Sequence, residues 1–396
     1  MRMFEPGYWG DSHKVDAALR AETAVHLTDV GGFMPLWVIT RHHDALHALK
    51  NPKLSKDWRK LAHAYEELLE KAGIDRGASR VNYPHMLNND DPEHARQRKL
   101  LTAQFTPARV ENLRPRVEEI SAALLDELDT GRTIDLISEF AFLMPMTVIC
   151  ELLGVPRADR PRFRSWTQAV TSDDPGKIGP ASLAIENYFT TLFDAKRAAP
   201  ADDLLSALLT ASAAEGRLTD RELMGTVYLL FIAGHETTMN LIGNAVRLML
   251  EDQDRWQLLR NKPELIPDAV EEVLRFDTSV RCATHRIATE PVTYGEVTIP
   301  AGAIVLISLS AANRDEAKFD RADHFDLYRD TRGHLSFGHG SHYCLGATLG
   351  RMETQIALGQ LTSRFPHARL AVPAAALEHI DNTLANGFVK LPVDLR

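Results

Sequence analysis

The sequence predicts a mainly α-helical fold with small β elements, arranged as one domain over residues 1–396. Three observations lead there. Apolar residues recur with a 3.6-residue period in one segment after another from about 92 to 275, and again from Leu345 to Phe365. β-Branched and aromatic runs are confined to about residues 30–60, 285–310 and the C-terminal tail. No period of roughly 20–50 residues repeats, and no Gly/Ser linker or charge block divides the chain, so one large domain is expected although the length allows two or three.

Hydrophobic residues make up 44% and charged residues 25% of the 396, which supports a folded core and excludes a disordered or fibrous chain. Forty-five Lys and Arg against 54 Asp and Glu give a net charge of -9, which argues against a nucleic-acid partner. Cys150, Cys282 and Cys344 are too few and too scattered for a disulfide framework or a zinc quartet, and fit a reducing compartment. The N-terminal MRMFEPGYWGDSHK lacks the apolar stretch of a secretory signal, and no segment approaches ~18 uninterrupted apolar residues. A cytoplasmic protein with no membrane partner is expected.

Along the chain, an amphipathic stretch at Val15–Ala21 precedes a strand at Leu36–Thr40, and the region to Leu87 is loop-rich. Helical patterns follow at His94–Phe105, Arg109–Leu128 and Leu136–Leu153, separated by Thr106-Pro107, Thr130-Gly131 and Gly154-Val155-Pro156. Further helices are predicted at Pro161–Val170, Ala181–Arg197, Asp202–Ala213, Thr219–Asp252 and Leu265–Arg275, with Thr219 as an N-cap. The run Val292–Pro300 reads as a hairpin entering Ile304–Ser308.

The strongest local signal is Phe337-Gly338-His339-Gly340-Ser341-His342-Tyr343-Cys344-Leu345-Gly346, a glycine-dense loop carrying one thiol to the start of a helix. A helix N-terminus favours thiolate over thiol, and glycines let backbone amides approach a sulfur closely. Taken alone, such a cysteine is a buried structural thiol, a nucleophile or a metal ligand. At about 7% glycine usage, three glycines at prescribed positions arise by chance in roughly 3 of 10,000 cases. The loop resembles the haem-binding signature of cytochrome P450 enzymes at each defined position. The resemblance runs from about Leu36 to the C-terminus and is nearest to soluble bacterial members that tailor macrolides and other secondary metabolites or hydroxylate steroids. It implies the single-domain P450 fold, a haem b (iron protoporphyrin IX) cofactor and Cys344 as its axial thiolate, with Phe337, Gly338, His342 and Gly346 beside it.

Ala233-Gly234-His235-Glu236-Thr237-Thr238 interrupts the apolar run Leu229–Ile232 within a predicted buried helix. Glycine there costs about 1 kcal/mol against alanine, which marks either a site or a close helix crossing. The segment resembles the family's oxygen-activation motif. That implies room for dioxygen at Gly234, and a proton-delivering acid and alcohol in Glu236 and Thr237. His235-Glu236 also begins like a zinc-protease motif, but Met239 stands where the second histidine is required.

Glu272 and Arg275 are spaced to pair on a helix. By resemblance they form a structural group with Arg329, while His94, Arg98, Arg286 and His342 are the haem-propionate donors. Arg96, Lys99, Arg109 and Arg351 are candidates for a basic patch that steers an acidic electron donor. A ferredoxin, with a reductase supplying electrons from NAD(P)H, is the implied partner of a monomeric enzyme. The family's pocket walls map to Arg76–Leu87, Leu229–Ile232, Ser279–Ala283 and Leu384–Phe388, and within or beside them to Leu87, Leu230, Ala233, Val280, Arg281, Asn386 and Phe388. These walls imply a bulky hydrophobic substrate, with Arg281 as a polar anchor. The implied activity is O2-dependent monooxygenation. A peroxide-driven hydroxylase, a haem-binding protein without turnover and a cofactor-free helical interaction protein are the alternatives.

Overall fold

In the computed structural model, which describes residues 3–5, 7–30, 34–57, 59–64, 68, 84–128, 130–170, 175–215 and 218–396, the periodic segments are helices. In chain order these are α1 (Tyr8–Glu22), α2 (His42–Ala48), α3 (Glu93–Thr102), α4 (Pro107–Asn112), α5 (Arg114–Asp126), α6 (Leu143–Leu152) and α7 (Arg160–Val170). They continue as α8 (Pro175–Ala198), α9 (Leu204–Glu215), α10 (Asp220–Leu250), α11 (Gln253–Asn261), α12 (Ile266–Phe276), α13 (Leu309–Asn313) and α14 (Ala347–Arg364). The longest, α10, opens on a capping box. The Glu222 amide donates to Thr219 Oγ1 (3.2 Å), and the Glu222 carboxylate accepts from the Thr219 amide (2.8 Å).

Two patterns expected to be continuous are divided. Arg109–Leu128 parts at Leu113 into α4 and α5, with Pro115 in the first turn of α5, where its missing N–H costs no hydrogen bond. Leu136–Leu153 begins with a π turn at Ile137–Ala141 before α6. The stretch expected only around Val15–Ala21 is the end of the longer α1, and α2 and α11 are additional helices. Among the described residues no helix is long and apolar enough to cross a membrane.

The strands are β1 (Val25–Val30), β2 (Met34–Ile39), β3 (Leu54–Ser55), β4 (Ile134–Asp135), β5 (Cys282–Ala288), β6 (Val292–Tyr294), β7 (Val297–Ile299), β8 (Ile304–Ser308), β9 (Arg369–Leu370) and β10 (Pro392–Asp394). They form a five-stranded sheet in the order β1-β2-β8-β5-β3, a three-stranded sheet β4-β10-β9 and the hairpin β6-β7. β8 lies inside the larger sheet, parallel to β2 and antiparallel to β5, and each of its five residues is buried.

Packing groups the chain into two units: Met1–Ser55 with Leu113–Met144 and Glu236–Arg396, and Lys56–Asn112 with Pro145–His235. Neither is contiguous in sequence, so no linker composition marks a boundary. The first unit holds the sheets. In it Trp256 of α11 is fully buried and its indole N–H donates to the Phe365 carbonyl at 3.0 Å, fastening α11 to the end of α14. The second unit has an aromatic centre in which Phe163 of α7 meets Tyr188 of α8 and Phe231 of α10 edge-on, at 4.9 and 5.0 Å.

Candidate functional site

The cysteine loop lies in the first unit and is shaped by its own backbone. The Cys344 amide donates to the Phe337 carbonyl (2.8 Å), the Gly338 amide to Leu335 (2.7 Å) and the Tyr343 amide to Gly340 (3.1 Å). Gly338 and Gly340 have φ of 71° and 77°, a left-handed conformation that a side chain disfavours. A Cβ at Gly340 would also come within 3.0 Å of Lys50 Cγ. Both glycines therefore have a turning role in the loop. Phe337, His342 and Gly346 are half-buried, and Gly346 caps α14 two residues after Cys344.

Of the three cysteines, only Cys344 is exposed, and none forms a disulfide. Burial pushes the Cys150 and Cys282 thiols up to about 12, so neither offers a thiolate near neutral pH. Among the described residues no group of three or more His, Cys, Asp and Glu could hold a metal ion by itself. A lone accessible thiol fits a metal that arrives in a scaffold of its own, as iron does in haem.

Donors suited to haem carboxylates occur in both units. In the first, Arg286 is buried on β5, opposite Val305, and its Nη1 and Nη2 reach the Leu54 and Leu49 carbonyls (3.3 and 3.4 Å). His342 lies in a single 3₁₀ turn, Gly340–His342. In the second unit, His94 is buried on α3 with Nδ1 3.2 Å from Asp91 Oδ1, and half-buried Arg98 follows one turn later.

The middle of α10 departs from the burial of its neighbours. Leu230 and Phe231 are buried, Ala233 is exposed, and Glu236 and Thr237 are half-buried. A Cβ on Gly234 would lie 3.2 Å from Ile149 Cδ1 of α6. Glycine at 234 therefore lets α10 pack closely against α6, while Ala233 beside it is exposed. Burial raises the Glu236 carboxyl above its ordinary range, which favours a proton-carrying form. His235 is buried with Nδ1 2.7 Å from the Phe231 carbonyl, and burial lowers it to about 4.

Glu272, Arg275 and Arg329 come together in the first unit. Arg275 forks onto Glu272 with two 2.7 Å bonds, and its remaining donors reach the carbonyls of Asn313 (3.1 Å), Ala322 (2.8 Å) and His324 (3.1 Å). Glu272 also accepts from Arg329 Nε (3.2 Å) and the Asp326 amide (2.9 Å). The pair is fully buried and multiply hydrogen-bonded, unlike an exposed helical ion pair.

Several expected pocket residues have internal partners instead. Arg281 is fully buried. Its Nη2 donates to Asn386 Oδ1 (2.7 Å), and its guanidinium lies over Tyr8 and Trp9 of α1, 5.4 and 5.3 Å from the ring centres. Asn386 is buried and donates to Asp277 (2.7 Å) and to the Thr278 carbonyl (2.9 Å); Phe388 is buried against His379 (4.6 Å). Arg281 and Asn386 join the C-terminal segment to α1 and to the turn after α12, and Phe388 packs within that segment, which corrects the reading of Arg281 as a substrate anchor and of Asn386 and Phe388 as wall. Leu87 and Val280 are half-buried, the latter bridged to Ala385. Positions 76–83 of the expected wall lie outside the described residues. The basic patch is also partly neutralised, because Arg96 pairs with Glu222 and Arg351 with Glu271.

Glu353 on α14 carried no sequence signal. It is fully buried, Oε2 has no hydrogen-bond partner, and burial raises its carboxyl to about 8. The fold thus favours the protonated form. Its cost to stability is absent below the ordinary carboxylate pKa, grows as pH rises, and levels off above about 8, where Glu353 itself ionises. Glu353→Gln is expected to exceed the native chain in stability by about 3 kcal/mol near neutral pH, with the gain disappearing toward about pH 4. Urea unfolding of both haem-loaded proteins across that range measures the difference.

The chain is similar to known proteins. The family profile described as Cytochrome P450 matches residues 184–393. Cytochrome P450 107B1 of Saccharopolyspora erythraea is 45% identical, covering 98% of this chain and 96% of its own. Vitamin D(3) 25-hydroxylase of Pseudonocardia autotrophica is 42% identical over 99% of this chain and 96% of its own. The tirandamycin C-bound P450 monooxygenase TamI superposes with a TM-score of 0.92 at 40% identity, covering 99% of both chains. Identity of this order over nearly the whole length leads to one assignment: the chain belongs to the cytochrome P450 family and is a haem-thiolate monooxygenase.

Proposed function

We propose that this enzyme hydroxylates or epoxidises a bulky hydrophobic small molecule of secondary metabolism, with Cys344 as the axial ligand of haem b. Haem bound through a thiolate supplies the activation of O2 from which one oxygen atom is inserted. His94, Arg98, Arg286 and His342 neutralise the propionates, which would otherwise be costly buried charges. The substrate class rests on the apolar positions Leu87, Leu230, Ala233 and Val280, and on relatives named for vitamin D3 and tirandamycin. Electrons come from a ferredoxin and its NAD(P)H-dependent reductase, in the cytoplasm, to a monomeric enzyme.

The observation that carries the O2-dependent reading is the adjacent acid and alcohol, Glu236 and Thr237, on α10, with the carboxyl biased by burial toward carrying a proton. Glu236, tilted by burial toward its protonated form, and Thr237, whose hydroxyl both accepts and donates, are a pair suited to relaying protons. A peroxide-driven enzyme has no need of this relay. Thr237→Ala is expected to oxidise NAD(P)H still, but to yield about a tenth or less of the native product per NAD(P)H, the difference appearing as hydrogen peroxide. Equal product yield from the variant, or native turnover with peroxide that matches turnover with NAD(P)H, reductase and ferredoxin, contradicts the O2-dependent reading.

A further inference from the structure

A single carboxylate reaches both flanks of the cysteine loop. Glu271 on α12 accepts a fork from Arg351 on α14, with Nε 2.5 Å from Oε1 and Nη2 3.0 Å from Oε2. Its Oε2 also lies 3.0 Å from His334 Nε2, three residues ahead of Phe337. Burial would raise this carboxyl, but the hydrogen bonds from His334 and Arg351 bring it down to about 2. The adjacent Glu272 belongs to the separate group with Arg275 and Arg329.

Each partner continues into the loop. The Arg351 guanidinium lies over the Phe337 ring, 4.4 Å from its centre, and Nη1 is 3.4 Å from the hydroxyl of Tyr343, the residue before Cys344. His334 Nδ1 is 3.1 Å from Ser336 Oγ, which donates to the Leu274 carbonyl of α12 at 2.6 Å. Phe337 in turn accepts the Cys344 amide. Both side chains of the fork are about three-quarters buried, so it is screened less than an exposed pair such as Arg116–Glu119. A two-point fork also fixes the plane of the guanidinium, which is what a stacked ring requires.

We propose that Glu271 is a positioning residue for the cysteine loop: its fork holds Arg351 flat on Phe337, its contact with His334 holds the segment entering the loop, and together they present the Cys344 thiolate in one geometry. This rests on Cys344 being the axial ligand. Two variants of the haem-loaded enzyme test it, one through charge and one through shape. Glu271→Gln removes the charge, and Arg351→Lys keeps the charge but has no plane to lay on the ring. Both are expected to shift the haem reduction equilibrium by about tenfold, or ~59 mV for a one-electron couple. Both are also expected to lose the red-shifted ferrous–CO band at a urea concentration below that of global unfolding followed by circular dichroism. If Glu271→Gln does not fold, Arg351→Lys decides. Native potential, with band loss coincident with unfolding, overturns the proposal provided the native enzyme shows the red-shifted band. A native enzyme lacking that band overturns the Cys344 assignment itself.

Discussion

Replacing Cys344 by serine is expected to abolish the red-shifted ferrous–CO band and to reduce monooxygenase turnover to background. A serine hydroxyl is not an anion near neutral pH, so the strongly donating sulfur ligand has no substitute at that position. The other two thiols cannot take its place, because both are buried and burial pushes each up to about 12. Cys150→Ala and Cys282→Ala should therefore keep the band, which separates loss of the ligand from loss of a cysteine as such. A Cys344→Ser protein with the native spectrum would remove the assignment of this loop as the haem ligand loop.

The second large effect is expected at Arg275. Arg275→Met leaves the Glu272 carboxylate fully buried with Arg329 and one backbone amide in place of the two-bond fork, and it strips donors from the carbonyls of Asn313, Ala322 and His324. Breaking a buried pair by removing one partner costs about 3–5 kcal/mol, a large part of a total stability of about 5–15 kcal/mol. The variant should accumulate as haem-poor protein with a lowered unfolding midpoint. Removing the exposed Arg116–Glu119 pair should cost at most about 1 kcal/mol. Urea titrations of the two variants side by side measure the contrast, and similar costs would show that the buried group does not fasten this unit.

The helical part of the fold was legible where a segment is long enough for its apolar face to repeat. The pattern beginning at Thr219 was read to within two residues of α10, because the capping box and the period agree. The helix α11 escaped because its nine residues make too few turns for a period, and only Trp256 and Leu259 are buried. Strands β3, β4, β9 and β10, of two or three residues each, arise from pairing with distant segments, as where Val393 meets both Ile134 and Leu370. The sequence marks β3 and β10 only coarsely, within the β-containing stretch 30–60 and the C-terminal tail, and gives no local mark for β4 or β9.

The site divides along the same line. The loop around Cys344 and the pair Glu236–Thr237 were visible because their chemistry is contiguous in sequence. Arg281 was read as a substrate anchor because the sequence does not say that α1 brings Tyr8 and Trp9 over its guanidinium. Glu271 and Glu353 gave no signal, since each is singled out only by what the fold places around it: His334 and Arg351 in one case, a burial without a partner for Oε2 in the other.

The most direct measurement is the ferrous–CO difference spectrum of the native protein loaded with haem. Ligation by Cys344 requires a strongly red-shifted Soret band that is present in the Cys150→Ala, Cys282→Ala double variant. A Soret band at the position of a histidine-ligated haem, or a protein that takes up no haem at all, would contradict it.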